Sequence, residues 1–316
     1  MYRIWHPRDH IRCRVMWRPF DRSAGPGISK GATVLITERL VPAVLSIAGS
    51  DSGGGAGIQA DLKAFARCGV HGMTAIAAVT AQNTVGVTGI HQVPGDFIVE
   101  QVRAVAEDIG VDAVKIGMLG TAETVRAVRA ALELLEPGTP VVLDPVMVAE
   151  SGAVLLDEPA RAAIVEELLP RVTVITPNVP EARVLAGAGE GDDVEALARR
   201  LHGLGPEVVV VTGGHRETAT DVFFDGEALE HIPGERYPDG SAHGSGCTHS
   251  SALAAHLALG CTPLEAARAA KRIAGEAVRD GIRELGAGAG PVDVFALTAR
   301  AQARRKGGKA ATGPLP

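Results

Sequence analysis

Between Val41 and Leu297, short unbroken apolar runs alternate with stretches of helical period, and this alternation limits most strongly what the chain can become. The runs are Ala43 to Ala48, Thr74 to Thr80, Ala113 to Gly117, Val141 to Asp144, Val172 to Thr176 and Val208 to Thr212. They are too short for helices and lack the polar alternation of half-exposed strands, which predicts strands covered on both faces. Helical spacing links them, over Ile58 to Cys68, Phe97 to Ile109, Thr121 to Leu135, Ala160 to Leu169 and Val194 to Leu204. Such repetition predicts a mainly parallel sheet with helices on both sides. Val222 to Phe224 and Ala228 to Ile232, around Asp225-Gly226, predict a hairpin at one edge. Ser250 to Leu259 and Pro263 to Arg279 predict the closing helices. No repeat or linker interrupts residues 41–300, so one α/β domain is expected there.

The two ends differ from this body. Residues 1–40 are rich in Arg, contain both Trp5 and Trp17, and carry no helix or strand period. A disordered extension, or a start codon upstream of the one used, is expected; a basic arm for a partner is the alternative. Residues 301–316 are expected to be a mobile tail. A net charge of -6 argues against nucleic-acid binding. No apolar run approaches the roughly 18 residues of a spanning helix, which argues against membrane insertion. Cys13, Cys68, Cys247 and Cys261 form no CxxC pair, which suits a reduced, cytoplasmic setting.

Two glycine clusters fall where strands give way to helices, the usual ligand position in an α/β sheet. Gly49 to Gly57 follows the first strand; it has neither a Walker A sequence nor a clean GxGxxG. Ala242 to Thr248 opens a helix, and Gly244 and Gly246 leave backbone amides there unhindered. Amides at a helix N-terminus, with its partial positive charge, suit the charge that moves in phosphoryl transfer. Cys247 lies at the same terminus, so its thiol is expected to have a lowered pKa and to reach the thiolate near neutral pH. His249 is expected to be a surface or supporting residue.

Other polar residues end strands. Asn178 and Glu181 offer an amide and a carboxylate apt for magnesium-bound waters and phosphates, and Asp144 ends another strand. Each could equally be a cap or turn residue. Thr212 to His215 ends a further strand where a nucleotide could lie, and Gln82 and Asn83 could read a heterocycle.

These segments together resemble a known family. Residues 47–63 (IAGSDSGGGAGIQADLK), 80–84 (TAQNT), 115–119 (KIGML), 144–147 (DPVM), 176–181 (TPNVPE) and 243–248 (HGSGCT) are similar, in order and spacing, to the bacterial hydroxymethylpyrimidine/phosphomethylpyrimidine kinases, a branch of the ribokinase-like superfamily. The resemblance runs from about Val41 to Phe295. It implies a three-layer α/β/α ribokinase-like fold. It implies two ATP-dependent phosphorylations in thiamine biosynthesis: of 4-amino-5-hydroxymethyl-2-methylpyrimidine, then of its monophosphate. It further implies that Gln82 binds the pyrimidine edge, with Asp61, Met118 and Val146 lining the pocket. Cys247 would take the place of a catalytic base, and Gly244 and Gly246 would form an anion hole. Asp144 and Glu181 would organise Mg2+ with Asn178, while Thr212 and Gly214 would lie near the nucleotide. A homodimer is implied as well. Many relatives carry Lys where this chain has Thr212. Pyridoxal kinase and a catalytically inactive nucleotide-binding regulator are the competing readings.

Overall fold

The computed structural model describes residues 39–149, 152–189, 191–214, 218–238 and 240–309, the last four as backbone only. The expectations for residues 1–38, for His215 and for residues 310–316 lie outside them. Among the described residues one sheet holds nine strands, in the spatial order β3-β2-β1-β4-β5-β6-β7-β8-β9. They are β1 (Ala43–Asp51), β2 (His71–Gln82), β3 (Val87–Gln92), β4 (Ala113–Ile116), β5 (Val141–Leu143), β6 (Val174–Ile175), β7 (Val208–Val211), β8 (Asp221–Phe224) and β9 (Leu229–Ile232). The six strands from β2 across β1 to β7 are mutually parallel. The hairpin β8–β9 adds antiparallel strands at one edge, as its turn predicts. At the other edge β3 pairs antiparallel with β2; the apolar pattern gives no sign of it, because most of its side chains are exposed.

The unbroken apolar runs reflect burial on both faces. Along each central strand successive residues enter different cores, since strand side chains alternate. Leu45, Ile47, Val114, Leu143, Ile175 and Val209 join one core. Their neighbours Val44, Ala113, Val142, Val174, Val208 and Val210 join the other. The first core is covered by α2 (Gly95–Asp108), α3 (Ala122–Leu132), α4 (Glu158–Ala163), α5 (Val179–Leu185) and α6 (Val194–His202). The second is covered by α1 (Gly57–Cys68), α7 (Ser245–Ala258) and α8 (Pro263–Arg279). The result is the expected three-layer α/β/α arrangement. Buried faces of α7 and α8 are largely alanine, Ala252, Ala254, Ala255, Ala266, Ala267 and Ala270 among them, so backbone can approach backbone closely.

Local signals set the helix ends. Thr262 and Glu265 form a capping box ahead of α8, with Pro263 in the first turn. Asp193 caps α6 and Thr121 caps α3. The helix read over Ala160 to Leu169 begins earlier and ends differently: α4 passes into a wide turn at Ile164–Leu168 and a tight one at Leu169–Arg171. Pro170 removes the amide that regular continuation would need. A last helix, α9 (Leu297–Lys309), runs into the segment expected to be a tail.

Candidate active site

The C-terminal ends of the parallel strands open into a cleft of about 1060 Å³. Ser50 and Asp51 enter it from β1, Met118 from the loop after β4, and Asp144 and Val146 from the end of β5. Asn178 and Thr212 follow β6 and β7, and Gly214 lies just beyond. The N-terminus of α7 faces these strand ends with Gly244, Gly246 and Cys247. Crossovers on both sides of the sheet force this convergence, because every parallel strand delivers its following loop to the same edge.

The two glycine clusters meet directly. Gly244 has φ 83°, and a Cβ there would lie 1.9 Å from the carbonyl oxygen of Gly55. Only glycine can make this junction. Gly244 is the N-cap of α7 and gives it no side-chain cap. Of the first amides of α7, that of Ser245 donates to Ala242 O at 2.9 Å. Those of Gly246 and Cys247 have no acceptor a turn earlier, as at any helix start, and they border the cleft. The anion-binding groups at this terminus are therefore the amides of Gly246 and Cys247. Gly244 contributes the left-handed turn that aims them.

Cys247 departs from expectation. The residue is half-buried at the cleft, and its thiol is pushed up to about 12 by burial and by the nearby Asp61 and Asp144 carboxylates. Lys115 and the Gly57 N–H, which hydrogen-bonds the sulfur, offset this only in part. The helix terminus does not produce a thiolate near neutral pH here, because desolvation outweighs it. Asp61 also differs from expectation. It is fully buried and does not line the cleft. Its carboxylate accepts from Lys115 Nζ at 2.9 and 3.1 Å, from Ser46 Oγ at 2.6 Å and from Ser251 Oγ at 2.7 Å. Asp61 thus ties α1, α7, β1 and β4 together beneath the site, and Lys115 is the residue that reaches the cleft floor. Burial opposes the Lys115 charge, but Asp61 above all, with Asp144 adding to it, holds its pKa above the ordinary lysine value.

Gln82, Met118 and Val146 all border the cleft. Gln82 Oε1 accepts from Thr80 Oγ1 at 3.1 Å. Met118 packs over Gly49, where a Cβ would lie 2.8 Å from the Met118 methyl. Asn178 and Glu181 form a capping box on α5: Asn178 Oδ1 accepts from Glu181 N and Glu181 Oε2 from Asn178 N, both at 2.9 Å. The cap occupies the Asn178 oxygen and leaves its NH2 group to the cleft. Glu181 Oε1 also accepts from Met147 N at 3.4 Å. Burial and the neighbouring Asp144 raise Glu181 to about 7. Burial also raises Asp144, against the pull of Lys115 and of Ser250 Oγ, which donates to it at 3.1 Å.

Two neighbouring buried carboxylates, both raised by burial and Glu181 also by Asp144, suit a hard divalent cation, which offsets their charge and is held mainly by water and phosphate. Among the described residues no group of three or more His, Cys, Asp or Glu is arranged to hold a metal. The residues present fit Mg2+ shared with a nucleotide rather than a closed protein cage.

Thr212 and Gly214 border the far half of the cleft. Beside them is a cluster that no sequence motif announced. Asp221, at the start of β8, accepts from Lys271 Nζ at 2.5 Å and from Gly213 N at 2.8 Å, and lies 3.3 Å from His249 Nε2. His249 is buried, not a surface residue. Lys271 is a single lysine in the amphipathic pattern of α8, so nothing local marks it. It brings a cation to the side of the cleft where Thr212 offers none.

A parallel α/β sheet, a glycine-shaped helix terminus aimed into the cleft and a pair of buried carboxylates define a ribokinase-like small-molecule kinase. Residues 51–293 match the phosphomethylpyrimidine kinase family, and the chain belongs to it. It is 47% identical over 257 residues to the hydroxymethylpyrimidine/phosphomethylpyrimidine kinase of Rhizobium meliloti, covering 79% of this chain and 96% of that protein. The structure of phosphomethylpyrimidine kinase from Clostridium difficile aligns with TM-score 0.64 at 39% identity, covering 73% of this chain and 96% of that one. A pyridoxal kinase from Staphylococcus aureus in complex with ADP aligns with TM-score 0.74 at 33% identity, covering 81% and 94%.

Proposed function

We propose that this chain transfers the γ-phosphate of ATP to the hydroxymethyl group of 4-amino-5-hydroxymethyl-2-methylpyrimidine, and then a second phosphate to the monoester, in the synthesis of thiamine diphosphate. The observation that carries this reading is the N-terminus of α7, whose Gly246 and Cys247 amides border the cleft between the Gln82 half and the Thr212–Lys271 half. A transferring phosphoryl group carries its charge on its equatorial oxygens, and amides fixed beforehand stabilise that charge without reorganising.

In this reading Gln82, Met118 and Val146 hold the pyrimidine, and Asn178, Thr212, Gly214 and Lys271 hold the nucleotide. Asp144 and Glu181 would hold Mg2+, which supplies neutralisation of the phosphate charge. Cys247, which lines the cleft at the N-terminus of α7, would meet the acceptor hydroxyl. A thiol kept neutral by burial is suited to orienting that hydroxyl rather than to taking its proton. The loose transition state of phosphoryl transfer places little demand on a base. The second acceptor is already an anion and needs no such help.

The setting proposed is a cytoplasmic homodimer. Among the described residues no helix is long and apolar enough to cross a membrane. The edge strand β3 exposes Ile90, and the turn leading into it exposes Val85, a surface suited to pairing with a second copy. Sedimentation of the purified protein tests the dimer. The activity is tested by ADP release with MgATP, comparing the hydroxymethylpyrimidine, its monophosphate and pyridoxal. Turnover of both pyrimidines is expected; turnover of pyridoxal alone would overturn the substrate, and silence with all three would overturn the kinase.

A further inference from the structure

The Asp51 carboxylate folds the first glycine loop around itself. Oδ1 accepts from Gly53 N at 2.7 Å, and Oδ2 accepts from Gly55 N and Ala56 N, both at 2.9 Å. Asp51 is 2% exposed. Burial opposes its charge, yet His243 and these three amides hold its pKa below the usual carboxylate value.

The same Oδ2 lies 3.4 Å from His243 Nε2. A carboxylate can only accept, so the imidazole donates. His243 is itself 8% exposed and directly precedes Gly244, where α7 begins. Its backbone is pinned from the opposite side, because Val292 N donates to His243 O at 3.1 Å. Its ring fills the space beside Gly55, where a Cβ would lie 2.3 Å from His243 Cδ2. An acid and an imidazole with no part in the proposed chemistry therefore join the two loops on which that chemistry depends.

We propose that Asp51 and His243 are positioning residues that lock the glycine-rich loop 51–57 onto the N-terminus of α7. The lock holds the Gly57 N–H, the Cys247 thiol and the Gly246 and Cys247 amides in one register for phosphoryl transfer. This rests on the reading of α7 as the transfer site. Four glycines at positions 53, 54, 55 and 57 leave the loop many conformations unless side chains restrain it. Asp51 supplies the internal restraint and His243 the external one. The rest of the nucleotide site, from Asn178 to Lys271, is built on other elements, α5, β7, β8 and α8. The lock therefore orders the acceptor side and the transfer amides but not the end that holds the nucleoside diphosphate.

His243→Leu removes the donor and keeps the bulk, whereas His243→Gln keeps an N–H donor. His243→Leu is expected to lower kcat/KM for the pyrimidine by about 10- to 100-fold, the scale of an ångström of misplacement. Affinity for ADP, which lacks the phosphate that the α7 amides meet, should stay within about twofold of wild type, and His243→Gln should recover most of the loss. Amide exchange in the nucleotide-free protein should quicken over residues 53–57 in His243→Leu but not in His243→Gln. Wild-type kinetics with unchanged exchange in His243→Leu would overturn the proposal. So would an equal loss of ADP affinity, or failure of His243→Gln to rescue. If His243→Leu does not fold, Asp51→Asn is read by the same exchange and kinetic split. Exchange does not depend on turnover, so a wild-type protein inactive on pyrimidines would sink the functional reading and still leave the lock to stand or fall by exchange.

Discussion

Replacing Glu181 with Gln should make the metal-free protein more stable at pH 8 than wild type, by an amount that shrinks to about a third at pH 5. Glutamine preserves the capping box, because its amide oxygen can accept from Asn178 N as the carboxylate does. What it removes is a charge that burial and Asp144 disfavour, raising Glu181 from 4.5 to about 7. An acid with a raised folded pKa contributes stability fully below its unfolded pKa, and loses it as pH rises through the folded one. The window is therefore pH 4.5 to about 7. At 1.36 kcal/mol per pH unit the folded wild type loses about 3 kcal/mol by pH 8, of which only about 1 kcal/mol is already lost at pH 5. The advantage of Glu181→Gln should grow by roughly 2 kcal/mol across that interval, corresponding to about 4–8 °C in melting temperature on the scale of large domains. Thermal or urea melts in chelator at the two pH values read this directly. Mg2+ with ADP should restore wild type more than the variant, since cation binding favours the charged form. An advantage that does not change with pH, or a more stable wild type at pH 8 in chelator, would refute the reasoning.

Further predictions concern the floor and rim of the cleft. Cys247→Ala should slow the first phosphorylation by up to about 10²-fold, the scale of an acceptor misplaced by about an ångström, and the second by far less; equal losses would remove the orienting role. Iodoacetamide should label Cys247 slowly at pH 7 and steadily faster to pH 10 without a plateau, as mapped by mass spectrometry, because its thiol is pushed up to about 12. Gly244→Ala should abolish turnover and cost at least about 2 kcal/mol in urea, from strain at positive φ together with the collision with Gly55. Lys115→Met should cost about 3–5 kcal/mol by leaving Asp61 buried without its cation, and adding Asp61→Asn should recover part of the loss.

Most of the architecture was legible because its signals are local. A run such as Val208 to Val211 can only be a strand covered on both faces, and the fold sends Val208 and Val210 to one core and Val209 and Val211 to the other. Pro263 and the Thr262–Glu265 box give the start of α8. β3 was missed because a polar, exposed edge strand carries no periodic burial signal. In the cleft, Gln82, Met118, Val146, Asn178, Thr212 and Gly214 were legible from motif and position. Asp61 was not, since a motif records that a residue is retained without saying which way its side chain turns. Lys271 and Asp221 carried no signal, as they meet only when α8 packs beside β8.

The sequence by itself determined the strand–helix alternation, the family, and the need for glycine where the chain turns into α7. These follow from steric limits and side-chain period, which act over a few residues. Only the tertiary structure decided that Asp61 lies beneath the site, that Cys247 stays a neutral thiol, that Glu181 titrates near 7, and that Asp51 and His243 join two loops. Those outcomes depend on burial and on charges brought close from distant parts of the chain. Desolvation and Coulomb energy are properties of the folded neighbourhood, not of any segment within it.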